Sequence, residues 1–122
     1  RGLANSMEPE AYAHLRKMLG DKDAEIRFRA ACYLASLGDN SGRAMLEDAL
    51  GDLVAAQERG EGFYERASLL LASLQRLTGK SFGRLPPNPD TCGLATAREI
   101  ALRNWDLLLS QWGSWLDQSR KN

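Results

Sequence analysis

The sequence predicts an all-α fold, an α-α superhelix of about five helices in which two helical hairpins are followed by a capping C-terminal helix. Three observations lead there. The first is an internal repeat: Arg29-Ala30-Ala31-Cys32-Tyr33-Leu34-Ala35-Ser36-Leu37 returns as Arg66-Ala67-Ser68-Leu69-Leu70-Leu71-Ala72-Ser73-Leu74, with six of nine positions identical at an offset of 37. A repeat of that length, read as helix, marks a solenoid in which each hairpin buries its apolar stripe by stacking on a neighbour. The second is that apolar residues recur at helical spacing throughout, with no alternating run that reads as a strand. The third is that Gly, Pro, Asn and Asp gather between the periodic segments, where turns belong.

The elements follow in order. Ser6 reads as the N-cap of a first helix, with Pro9 in its first turn and Glu8 and Glu10 complementing the helix dipole. Tyr12, Leu15, Met18 and Leu19 then fall on one face, and Gly20-Asp21 ends the helix. Asp23 caps the second helix, whose predicted inner stripe is Ile26, Ala30, Tyr33, Leu34 and Leu37. The cluster Gly38-Asp39-Asn40-Ser41-Gly42 turns the chain into a third helix from about Arg43, with Met45, Leu46, Ala49, Leu50, Leu53 and Val54 inward and Gly51 a local weak point.

Leu46 and Leu50 match Leu15 and Leu19 at an offset of 31 rather than 37, so the second hairpin carries about six extra residues within Asp52–Gly62. That segment reads as an extended helix end plus a Gly-containing loop. The fourth helix spans Phe63 to Leu77, dense in leucine at 69, 70, 71, 74 and 77. Pro86, Pro87 and Pro89 then exclude helix. A last helix runs from about Leu94 to Gln118, with Trp105, Leu108, Leu109, Trp112, Trp115 and Leu116 along one side and Gly113 loosening it near its end. The whole is one domain over 1–122: repeat one at about 8–39, repeat two at about 41–79, a Pro-rich loop at 80–93 and the Trp-rich helix at 94–118.

Composition excludes more than it assigns. Sixteen basic and sixteen acidic residues cancel across the 122 positions, and a general nucleic-acid or anionic-membrane binder would carry a basic excess. Residues 41–62 hold Arg43 and Arg59 against Glu47, Asp48, Asp52, Glu58 and Glu61, a net charge of −3 that reads as a solvated helix face. Cys32 and Cys92 are too few for a disulfide framework and too isolated for a metal site. Cys32, mid-helix among small residues, reads as a small hydrophobe. No run approaches a membrane span and no signal peptide is visible. The chain opens on Arg1 rather than Met, which reads as a mature product or a fragment of a longer protein.

The first hairpin resembles a HEAT repeat, and most the short variety also found in bilin-lyase-type proteins. The matching positions are Asp23, Ile26, Arg27, Ala30, Ala31, Leu34, Leu37 and Gly38-Asp39. The second hairpin departs, with Tyr64 where Arg27 stands and Arg76-Leu77 where Gly-Asp is expected. The stretch Leu77-Thr78-Gly79-Lys80-Ser81-Phe82-Gly83, followed by Trp105, Trp112 and Trp115, resembles the tail of bacterial HEAT-repeat proteins. The resemblance implies a scaffold, in which Asp23 and Arg27 bridge successive turns and do no chemistry.

Residues that point to chemistry are few. Thr78-Gly79-Lys80-Ser81 lacks the first glycine of a phosphate-binding loop, since position 74 is Leu, and a helix precedes it rather than a strand. Gly79 is expected to end the fourth helix, with Phe82 folding back over the core. His14, the one histidine, has no carboxylate or cysteine at ligand spacing and reads as a surface residue. No catalytic, cofactor-binding or metal-binding residue is assigned. Trp105 and Trp112 are expected to seal the end of the stack, and Trp115 to be partly exposed.

Phe28, Cys32 and Ala35 form a second apolar stripe on the far side of the second helix. It either grips a partner helix or peptide on a concave surface, or packs against a neighbouring element. The candidate partner-binding set is Phe28, Arg29, Cys32, Arg66 and Trp115. The expected function is thus a non-catalytic protein-interaction or scaffold module, with a protein or peptide partner and no nucleic acid, membrane or cofactor. One alternative is a lyase-like accessory subunit taking a tetrapyrrole or other flat ligand, which only the resemblance implies. Another is a helical-repeat nucleic-acid binder contacting phosphates through Arg27, Arg29, Arg66 and Arg76. Two hairpins fall short of the roughly three repeats a solenoid usually needs, so the Trp-rich helix supplies the cap or further repeats do.

Overall fold

A computed structural model describes residue 10 and residues 12–121. Among these the chain forms five helices and no strand: α1 over residues 12–18, α2 Ala24–Ser36, α3 Arg43–Ala55, α4 Phe63–Thr78 and α5 Ala95–Lys121. The expected cap at Ser6 and first-turn Pro9 lie outside the described residues.

The α1–α2 turn is built by its own polar groups. The Asp23 carboxylate accepts the Glu25 N–H at 2.9 Å, capping α2, and Asp21 Oδ1 accepts the Asp23 N–H at 2.9 Å. The Arg27 guanidinium reaches back one turn to donate to the carbonyls of Asp21 at 2.6 Å and Lys22 at 3.0 Å. Asp23 and Arg27 therefore fix the angle at which α1 meets α2. At the next corner Gly38 takes a φ of 82°, a left-handed conformation that costs an L side chain about 1–2 kcal/mol. Asp39 caps the following single turn, Asn40–Gly42, and pairs with Arg16 of α1 at 2.6 Å. The Ser41 hydroxyl and the Arg16 guanidinium hold its carboxyl below the usual carboxylate range.

α2 lies against both α3 and α4, α3 against α4 and α5. α2 and α4 run parallel: Glu25 meets Arg66, and seven residues on Cys32 lies beside Ser73. That register is 41 residues, one helical turn beyond the sequence repeat. The core is continuous across α2–α5, with Leu46, Leu50, Leu70, Leu71, Leu74, Trp105 and Trp112 wholly enclosed.

Several expectations are corrected. Tyr33 and Leu37, expected on the inner stripe of α2, are 60% and 43% exposed, whereas Phe28, Ala31, Cys32 and Ala35 are buried. The reason is position: α2 is flanked by α3 and α4, and contact with two helices buries a wider arc than one stripe and moves its centre. Val54 is exposed near the end of α3. The extra residues after Asp52 do not lengthen α3, which stops at Ala55; they form the loop 56–62. That loop is fastened by Arg59, which donates to Asp106 at 2.6 Å and to the Tyr64 hydroxyl at 3.1 Å. Gly113 does not loosen α5, which continues to Lys121. It lets α5 approach α3 closely, because a Cβ there would sit 3.0 Å from Val54 Cγ1.

Gly79 ends α4 with a φ of 72°, as expected. Phe82 packs back on the core, its ring edge-on to Trp112 at 5.1 Å. Most of the Pro-rich loop is irregular, with one tight turn at Pro89–Thr91 capped by Asn88. Trp105 Nε1 donates to the Pro87 carbonyl at 3.0 Å, tying this loop to α5.

Candidate functional site

The exposed arc of α2 and the exposed stripe of α4 lie side by side. On α2 the exposed positions are Ala24, Arg29, Tyr33 and Ser36, with Leu37 just past its end; on α4 they are Glu65, Leu69, Ala72 and Arg76, spaced four, three and four apart. Between them and α1 runs a groove of about 360 Å³. Leu15 and Met18 of α1 form one wall, Ala30 and Cys32 the floor, and Tyr33 and Leu69 the lips. Tyr33 at 60% and Leu69 at 41% are the large apolar side chains that α2 and α4 leave exposed to water, and both line this groove.

A second recess of about 460 Å³ opens toward the N-terminal ends of the same two helices. It shares Arg29 and Leu69 with the groove and is lined by Glu25, Glu61, Glu65 and Arg66. Arg29 Nε donates to one oxygen of Glu25 at 2.9 Å and Arg66 Nη1 to the other at 2.5 Å. The two repeat-equivalent arginines thus converge on one carboxylate. The Arg66 guanidinium also lies over the Phe28 ring, 3.9 Å from its centre. The hydrogen bond from Arg66, with Arg29 beside it, holds the Glu25 carboxyl below the usual range.

Of the five residues expected to meet a partner, Phe28 and Cys32 are buried at 6% and 4% exposure: Phe28 packs under Arg66 and lines the recess, and Cys32 lies beside Ser73 at the floor of the groove. Arg29 and Arg66 do reach the surface, brought together by Glu25. Trp115 is half-buried against Trp112, ring centres 5.3 Å apart, and belongs to a separate polar recess with Arg43 and Lys80. Tyr33 and Leu69 were missed. The run Leu69-Leu70-Leu71 held a signal for one of them: successive residues turn 100° on a helix, so three consecutive leucines cannot all face one core.

Of the four arginines that a nucleic-acid reading requires, Arg27 is directed at backbone carbonyls and Arg29 and Arg66 at Glu25. Thr78-Gly79-Lys80-Ser81 sits at the carbonyl end of α4, where the helix dipole disfavours phosphate. His14 is exposed on α1. Among the described residues no three His, Cys, Asp or Glu side chains gather to hold a metal, and no helix is long and apolar enough to cross a membrane.

Comparison with known protein families, curated proteins and solved structures gives no match for this chain. Its site is therefore read from its own geometry.

Both cysteines are free thiols, and burial pushes the Cys32 thiol pKa up. A maleimide is expected to label Cys92 in the native protein and Cys32 only on denaturation. Equal labelling rates for the two would contradict the burial of α2 described above.

Proposed function

We propose that the chain is a non-catalytic protein-interaction module that holds a segment of a partner protein in the groove between α1, α2 and α4. In this reading the two hairpins are HEAT-like repeats and α5 is the cap that closes their stack. The observation that carries the proposal is the pair Tyr33 and Leu69, exposed on either lip of an apolar groove in a rigid helical frame. Exposed apolar surface concentrated at a concave site, rather than scattered singly, is what a docking surface provides.

The test is selection of a random peptide-display library against the wild-type chain and a Tyr33→Asp, Leu69→Asp variant. Both side chains point to water, so the variant is expected to keep its helical circular dichroism. Peptides that bind the wild type and lose binding to the variant are the expected result. A selection that yields none, or peptides indifferent to both substitutions, would overturn the proposal.

A further inference from the structure

The groove alone does not specify what fills it, but the recess joined to it adds a sign of charge. Three carboxylates, Glu25, Glu61 and Glu65, face two guanidiniums, Arg29 and Arg66. Both guanidiniums are bound to Glu25, and Arg66 is further held over Phe28. Among the described residues neither Glu61 nor Glu65 has an ion-pair partner, and both are exposed. Two guanidiniums on the one carboxylate of Glu25 keep a charge of +1, and Glu61 and Glu65 bring the recess to a net charge of −1.

Glu65 and Leu69 are four residues apart on α4, so their side chains lie about 5–6 Å from each other on one face. Glu61 stands one further step back, just before the helix starts. Negative charge near the start of α4 also suits the helix dipole. That accounts for an acid in the first turn, but Glu61 precedes the helix and both carboxylates still face the recess. An apolar lip and two unpaired carboxylates therefore border one continuous recess.

We propose that the occupant is a basic amphipathic segment of a partner protein, placing an apolar side chain between Tyr33 and Leu69 and a Lys or Arg against Glu61 and Glu65. A helical segment with a basic residue three or four positions from its apolar anchor matches this spacing. An acidic segment would meet Glu61 and Glu65 as like charges, and the surplus charge of the Arg29–Glu25–Arg66 triad offsets one of the two. This inference rests on the docking reading above and adds the partner's charge.

Peptides from the display selection are synthesised with a fluorescent label and titrated by anisotropy against three chains: wild type, Leu69→Asp, and the double variant Glu61→Lys, Glu65→Lys. Peptides that depend on Leu69 are expected to carry Lys or Arg near their apolar anchor, and to bind the charge-reversed chain at least about ten-fold more weakly. Their affinity for the wild type is expected to fall as salt rises. Leu69-dependent peptides without a basic bias, or bound equally by the charge-reversed chain, would overturn this inference and leave the docking reading standing. An absence of any Leu69-dependent peptide would overturn both. Self-association of the wild type in sedimentation, abolished by Leu69→Asp, would make the occupant a second copy and likewise overturn the basic-partner inference.

Discussion

Replacing Trp105 with alanine is expected to destabilise the chain by about 3–5 kcal/mol, the range for truncating a buried large aromatic side chain. Trp105 is wholly enclosed, packs on Tyr64 with ring centres 5.5 Å apart, and fastens the Pro-rich loop through its bond to Pro87. Removing it opens a cavity between α4 and α5 and leaves the Pro87 carbonyl without its donor. Trp112 is an internal control, since it is equally enclosed but its Nε1–H finds no hydrogen-bond acceptor among the described residues. Trp105→Phe removes a hydrogen bond and ring volume, whereas Trp112→Phe removes ring volume together with an unsatisfied donor. The first is expected to cost at least about 1 kcal/mol more than the second, the net value of one hydrogen bond. Urea denaturation midpoints measure both. A Trp105→Ala midpoint close to wild type would deny that α5 closes the core.

The reason α5 was legible from sequence is that its pattern has one solution. Trp105, Leu108, Leu109, Trp112 and Leu116 share a side, the opposite side is polar over most of its length, and all five are buried. The caps were legible for a related reason: Asp23 and Gly79 act on backbone groups within four residues, so no tertiary knowledge was needed.

α2 was not legible in the same way. From Ala30 to Ala35 every residue is apolar or small, so periodicity offers several inner faces and the neighbours choose among them. The repeat misled at this point. Cys32 and Leu69 are equivalent in sequence, as are Tyr33 and Leu70, yet exposure is 4% against 41% in the first pair and 60% against 0% in the second. Equivalent residues have different neighbours because α2 lies between α3 and α4, whereas α4 meets α2 and α3 and places Tyr64 against Trp105. The groove depends on that difference. Its lips, Tyr33 and Leu69, are not repeat equivalents, and no comparison of the two repeats would have paired them.

Gly42→Ala is expected to destabilise the chain by about 1–3 kcal/mol, the cost of overpacking a filled site. Gly42 sits in the same turn cluster as Gly38, and sequence alone gives both the same role. They differ in kind. Gly38 has a φ of 82° with open space around it, so its glycine serves the backbone. Gly42 has a φ of −101°, which any residue adopts, but a Cβ there would stand 2.6 Å from Ala31 Cβ and 2.8 Å from Ala31 Cα. Those atoms belong to the middle of α2 and cannot rotate away, so the start of α3 would have to move off α2. Leu19 Cδ2, 3.4 Å from the same point, is in ordinary contact and does not add to the clash. The clash is between two named positions, which makes it testable as a coupling. Ala31→Gly by itself is expected to cost about 1 kcal/mol as a glycine inside a helix. Combined with Gly42→Ala it is expected to recover part of that variant's loss, because it removes the nearer of the two contacts. Denaturation midpoints of the four chains close the cycle. Simple additivity, or a Gly42→Ala midpoint equal to wild type, would mean that α3 does not press on α2 at Ala31, and the groove floor formed by α2 would then lack its support from behind.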